Sequence, residues 1–161
     1  MNIQLRWPLP AANKRITSTH GATGNNGTPH KGIDISCTVG TPVYAAHAGR
    51  VRYEWTQQGG NVVRLVGEHC TTRYAHLASY IADDGEQVSA GEEIARSGNT
   101  GAATTGPHLH WELLTPAGVA VDPMKYLMED NPMRKIGLHF EAIPDWAPEL
   151  VAQGWNFRTH E

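Results

Sequence analysis

His108-Leu109-His110-Trp111-Glu112-Leu113 alternates polar and apolar residues at every step. A period of two marks a β-strand with one buried face, so Leu109, Trp111 and Leu113 turn to a core while His108, His110 and Glu112 turn away from it. Two imidazoles therefore leave one strand in the same direction. The segments 49–55, 61–67 and 71–77 are rich in Val, Tyr and Arg and are separated by Gly or polar residues, which reads as further antiparallel strands. In Thr71-Thr72-Arg73-Tyr74-Ala75-His76-Leu77 the same alternation puts Tyr74 and His76 on one face, which makes His76 either a non-ligand acid or base directed toward the histidine cleft or, as the segment alone favours, a buried edge histidine. The fold expected is mainly β.

A second cluster, His30-Lys31-Gly32-Ile33-Asp34, lies far upstream. Asp34 sits between Ile33 and Ile35, so an extended backbone buries both isoleucines and aims the carboxylate off the opposite face. Pro29 and Pro107 each fix a backbone angle just before the histidine that follows. The chain has nine histidines, and either cluster alone is unremarkable. Together they supply two imidazoles and a carboxylate from separate segments, a set suited to a catalytic zinc that keeps its fourth position for water. Spacing leaves open which of His108 and His110 is the ligand. Glu112 either orients a ligand from behind or is simply a solvated glutamate.

The ordered series of motifs resembles the lysostaphin-type zinc endopeptidases, which cut peptidoglycan peptides. The likeness runs from Trp7-Pro8 to Tyr126-Leu127. It passes through the His30 to Asp34 motif, Gly40-Thr41-Pro42-Val43-Tyr44-Ala45-Ala46, Gly49-Arg50-Val51 and Tyr74-Ala75-His76-Leu77. Val88-Ser89-Ala90-Gly91-Glu92-Glu93-Ile94, Ser97-Gly98-Asn99-Thr100-Gly101, Gly106-Pro107-His108-Leu109-His110-Trp111-Glu112 and Val121-Asp122-Pro123 complete it. The resemblance implies an antiparallel β-sandwich or half-open barrel, with His30, Asp34 and His110 binding Zn2+ and with His76 and His108 unligated and catalytic. Zinc acidifies its bound water and polarises a scissile carbonyl. His108 is then expected mainly to activate water, and His76 mainly to stabilise the oxyanion. The family commonly has an aromatic residue, Gly and then Arg upstream of the first ligand, where this chain has His20-Gly21-Ala22-Thr23-Gly24. The stretches 21–28 and 98–107, rich in Gly, Asn and Thr, are expected to form the two lips of a peptide groove.

The rival readings are a zinc amidase that cuts between glycan and stem peptide, and a non-catalytic wall-binding module or activator of other hydrolases. Degenerate relatives of the latter kind lose ligands, and this chain retains every one. The substrate expected is peptidoglycan peptide, and the protein is expected to act as a monomer.

The chain has 161 residues and a formal net charge of −3, without a basic run, which argues against nucleic acid as the partner. No apolar stretch reaches membrane-spanning length, and residues 1–10 lack the apolar region of a signal peptide. A wall hydrolase of that form suggests a phage-type lysin or virion-associated enzyme; a trimmed leader is the plainer alternative. Cys37 and Cys70 permit one disulfide, but free buried thiols are the favoured reading. His20 is either an accessory site residue or, more plainly, a loop histidine, and His47, His69, His139 and His160 belong to no motif.

Residues 1–130 are expected to form the peptidase domain. In 131–161 the character changes: a strand at 136–140, a helix from Asp145 to about Gln153 and a new extended run at Trp155. This reads as a short α/β extension or the opening of a second domain.

Overall fold

The computed structural model describes residues 3–24 and 27–128. The expected strand, helix and extended run of 131–161 lie outside the described residues. Ten strands follow in order: β1 (Ile16–Ser18), β2 (Ile33–Ser36), β3 (Pro42–Tyr44), β4 (Gly49–Thr56), β5 (Gly60–Val66), β6 (Thr71–Tyr80), β7 (Gln87–Val88), β8 (Glu93–Ser97), β9 (His108–Leu114) and β10 (Ala120–Val121). A single 3-10 turn, Pro123–Tyr126, is the only helical element among the described residues, capped by the Asp122 side chain. Every strand pairing is antiparallel.

The strands run β1-β2-β9-β6-β5-β4-β7 across an open sheet, with β10 on β9 and with β3 joined through β8 to β6. Alternation explains the two faces. Ile33, Ile35, Val51, Val63, Leu65, Tyr74, Leu109, Trp111 and Leu113 all point to one side, where they meet Val43, Ile94, Leu5, Trp7 and Leu9 in one buried cluster. Trp7 stands edge-on to Trp111 with ring centroids 6.1 Å apart. Burying side chains of this size contributes roughly 1.5–3 kcal/mol each, so the core face fixes the register, and the register fixes what the other face carries. The backbone closes where Leu5 bonds both Tyr126 and Met128.

The mainly β expectation holds, with strands close to the segments read from sequence. One alternation does not hold. Tyr74 and His76 do not share a face. Tyr74 is fully buried in the core, and its hydroxyl accepts from the Ala46 amide at 2.9 Å. By alternation His76 would follow Tyr74 inward, but its φ of +61° is left-handed, and the β5–β6 register slips between Asn61 and Val63. That bulge turns His76 onto the opposite face. Beyond it β6 leaves β9 and pairs with β8, so one strand serves both the main sheet and the β3–β8 flange.

Candidate metal centre

The site grows from the β2–β9–β6 ladder. Asp34 on β2 stands opposite His110 on β9, His110 opposite Ala75 on β6, and Ser36 opposite His108. His30 arrives from the loop before β2, held by its amide to the Ala22 carbonyl at 2.8 Å. His30 Nε2 lies 3.0 Å from His110 Nδ1 and 3.3 Å from Asp34 Oδ1, and His110 Nδ1 lies 2.8 Å from the same oxygen. Tetrahedral zinc with bonds near 2.0–2.1 Å sets its ligand atoms about 3.3 Å apart. The triangle is therefore of the right size and chemistry for zinc, with slight opening. Among the described residues His30, Asp34 and His110 are the one such group of metal-binding side chains.

Each histidine around this point has one ring nitrogen committed to an oxygen, which decides what the other can do. His30 Nδ1–H donates to the Thr19 carbonyl at 3.1 Å, with Ser18 Oγ also 3.1 Å away. His110 Nε2–H donates to Glu112 Oε1 at 2.9 Å. His76 Nδ1–H donates to the Thr100 carbonyl, and His108 Nδ1–H to the Gly106 carbonyl, both at 2.7 Å. These four partners turn the other nitrogen of each ring to one small volume, as in metal sites where a second bond sets the tautomer. His108 Nε2 lies 3.6 Å from Asp34 Oδ1, and the His76 and His108 rings are 4.6 Å apart. The five residues singled out in the sequence therefore converge.

Glu112 is not a solvated glutamate. It is 5% exposed and is braced by Arg73, whose Nη1 donates to Glu112 Oε2 at 3.0 Å while Nη2 donates to Glu54 Oε2 at 3.2 Å. Burial alone raises the Glu112 pKa, but His110 and Arg73 overcome it and bring the group down to about 2. Burial likewise works to raise Asp34, yet hydrogen bonds from His110 and His30 hold its carboxyl well below the usual range. Burial works to lower His110, but Asp34 and Glu112 on either side raise it to about 9 in the metal-free protein. Burial pushes His76 down, only partly offset by the Thr100 carbonyl, and so favours its neutral form.

The histidines line a cleft of about 260 Å³ together with Thr56, Gln58, Gly59, Arg73, Ala75 and Ala103. One lip, from 98–107, is where the sequence put it. The other is the β4–β5 turn, because none of the described residues of 21–28 lines the cleft; that loop carries His30 instead. The two lips lock together through Ala102 and Ala103 amides donating to the Gln57 and Gln58 carbonyls at 2.8 and 3.1 Å. Gly101, at φ +90°, allows this crossing, since a Cβ there would collide with the backbone of Gln58 and Gly60. The Arg73 brace and the β4–β5 lip escaped the sequence reading, as the brace depends on the β6–β9 pairing and the lip on the bonds of its turn to the distant residues 102 and 103.

Comparison with known proteins bears on the same residues. The chain is 40% identical over 124 residues to the uncharacterized lipoprotein YgeR of Escherichia coli, covering 75% of this chain and 47% of that protein. It is 42% identical over 99 residues to the peptidoglycan DD-endopeptidase ShyA of Vibrio cholerae, covering 60% and 23%. The chain thus spans about half or less of these relatives' length. Its structure matches the catalytic domain of the antimicrobial peptidase lysostaphin from Staphylococcus simulans with a TM-score of 0.65 and 33% identity, covering 72% of this chain and 93% of that one. Residues 28–123, which include both histidine clusters, match the model of Peptidase family M23, and the chain belongs to that family, as its resemblance to the lysostaphin-type endopeptidases implied.

Proposed function

We propose that the chain is a zinc-dependent endopeptidase that hydrolyses peptide bonds in bacterial peptidoglycan. One observation carries the reading: a ligand triangle of zinc-like dimensions with two further imidazoles beside it, each holding a free nitrogen inward. His30 through Nε2, His110 through Nδ1 and Asp34 through Oδ1 would hold the metal. Zinc supplies Lewis acidity there, making water nucleophilic near neutral pH and polarising the peptide carbonyl. His108 Nε2 takes the proton of the attacking water. His76 starts neutral with Nε2 as an acceptor, so it stabilises the oxyanion and protonates the leaving amine only once His108, whose ring lies 4.6 Å from its own, has passed on the proton taken from the water. Thr100 and Gly106 keep both rings in the required tautomer.

Peptidoglycan as substrate is supported by the name of the ShyA relative. Action as a monomer is part of the same proposal. No helix among the described residues is long and apolar enough to cross a membrane. The bacterial wall is the proposed place of action, and the phage-type route expected from residues 1–10 gains nothing from a relative named as a lipoprotein. Digestion of purified walls by the protein alone tests the reading. New free amino groups are expected. Reducing sugar ends would indicate a glycosidase, release of intact stem peptides from glycan would indicate the amidase, and binding without release would indicate the inactive module.

A further inference from the structure

The sequence has no basic run, yet the register of the sheet assembles one. Arg52 on β4 stands opposite Arg64 on β5, Arg64 opposite Arg73 on β6, and Arg73 opposite Glu112 on β9. All four lie on the face that carries His110, because Val51, Val63, Tyr74 and Trp111 between them point into the core. Arg52 and Arg64 are exposed. Of the row's arginines Arg73 takes the carboxylates, pairing with both Glu54 and Glu112, and among the described residues no carboxylate pairs with Arg52 or Arg64. Like charges directly opposite on neighbouring strands destabilise a sheet. Here two such pairs stand side by side in a chain whose net charge is −3, so their cost is not an incidental result of a basic composition.

We propose that Arg52 and Arg64 form a substrate subsite for free carboxylates of the wall peptide, joined to the cleft through Arg73. The proposal rests on the peptidase reading, because the peptide is taken to have its scissile bond at the histidines. Reach supports it. Neighbouring strands are about 4.8 Å apart, so Arg52, three strands from β9, is about 14 Å away laterally. An extended peptide covers that distance in about four residues. Cross-linked stem peptides bear carboxylates at such intervals, and guanidinium groups bind them through paired hydrogen bonds. Arg73 lines the cleft but already has two carboxylate partners, which leaves the unpaired charge on the two outer arginines.

The test uses the zinc-loaded full chain, its Arg52→Gln/Arg64→Gln double variant and two probes. The probes are a cross-linked stem-peptide dimer with free carboxylates and the same dimer with carboxamides, each also made with an N-methylated scissile amide for equilibrium binding. The double variant is expected to bind the free-acid analogue on the order of fivefold more weakly, as two exposed charge pairs would require. KM for the parent dimer should rise by a similar factor with kcat within about twofold. Both proteins should bind the carboxamide analogue equally, and the difference should fade by about 1 M salt, where the screening length is about 3 Å. The variant should melt no lower than the native protein, since the like-charge pairs are gone. Equal binding of the free acid by both proteins, an equal loss for acid and amide, or no binding by the native protein overturns the subsite. A native protein that binds the free acid in this arginine-dependent way but never cleaves the parent dimer refutes the peptidase reading instead.

Discussion

His110 is held by three other side chains. Asp34 and His30 share its Nδ1 side, and Glu112 takes Nε2–H. Replacing His110 with Ala should remove both zinc and turnover, whereas His76→Ala should keep zinc and lose about 10²- to 10⁴-fold in kcat. Metal analysis of the two variants checks this, and equal zinc loss would contradict the roles assigned to them. Glu112→Ala frees the ring to rotate and should weaken zinc binding about 10- to 100-fold, while Glu112→Gln, which retains an acceptor, should recover part of it. Competition with a chelator measures both. The pKa of about 9 for metal-free His110 gives a sign as well. Zinc takes Nδ1 in place of a proton, so below pH 9 binding releases that proton, and apparent affinity should fall about tenfold for each unit of acidification. A profile flat from pH 9 to pH 7 would contradict this. Alternation between apolar neighbours made the directions of Asp34, His108 and His110 legible, whereas the choice of His110 over His108 as the ligand came from the family resemblance. The buried state of Glu112 was not legible, because its partner Arg73 is 39 residues away, and only the β6–β9 register joins them.

At the scale of elements, the bulge in β6 decides whether the second catalytic histidine reaches the cleft. A regular strand would bury His76 behind Tyr74. The left-handed residue persists because both sides of it are tied: its amide donates to the Gly59 carbonyl at 2.7 Å and its ring to Thr100. Such a conformation costs on the order of 1–3 kcal/mol and lasts only where surroundings over-determine it. Gly101→Ala should break that support, since the new methyl meets the β4–β5 turn at a backbone angle that favours glycine. We expect a loss of about 1–3 kcal/mol in urea unfolding, together with lower kcat and unchanged zinc content. Unchanged stability and turnover would show that the lips do not hold His76. The strands themselves were readable because their periodicity is local. The bulge was not, as nothing within 71–77 signals it, and the responsible contacts come from 59 and 100. Reading Tyr74 and His76 as one face was the direct result of extending a period of two through an irregularity.

For the whole molecule, the described residues contain a core reaching from Leu5 to Leu127, where the two backbones bond to each other. We propose that 131–161 is not part of this domain, in which case its removal should leave the melting temperature within a degree or two and turnover intact. A loss of several degrees, or of activity, would make the tail part of this domain. The mainly β fold was legible at this scale because one sheet face is apolar at every second residue. The open edge order and the arginine row across β4, β5 and β6 were not legible, since both depend on which strands become neighbours. The central claim is a single zinc held by His30, Asp34 and His110 and required for peptide hydrolysis. Metal analysis of the purified protein, combined with a wall-digestion assay before chelation, after chelation and after zinc is restored, tests it most directly. One zinc per chain, hydrolysis lost with the metal and regained with zinc is the result predicted. No stoichiometric zinc even after resupply, or hydrolysis that survives complete removal of metal, would contradict it.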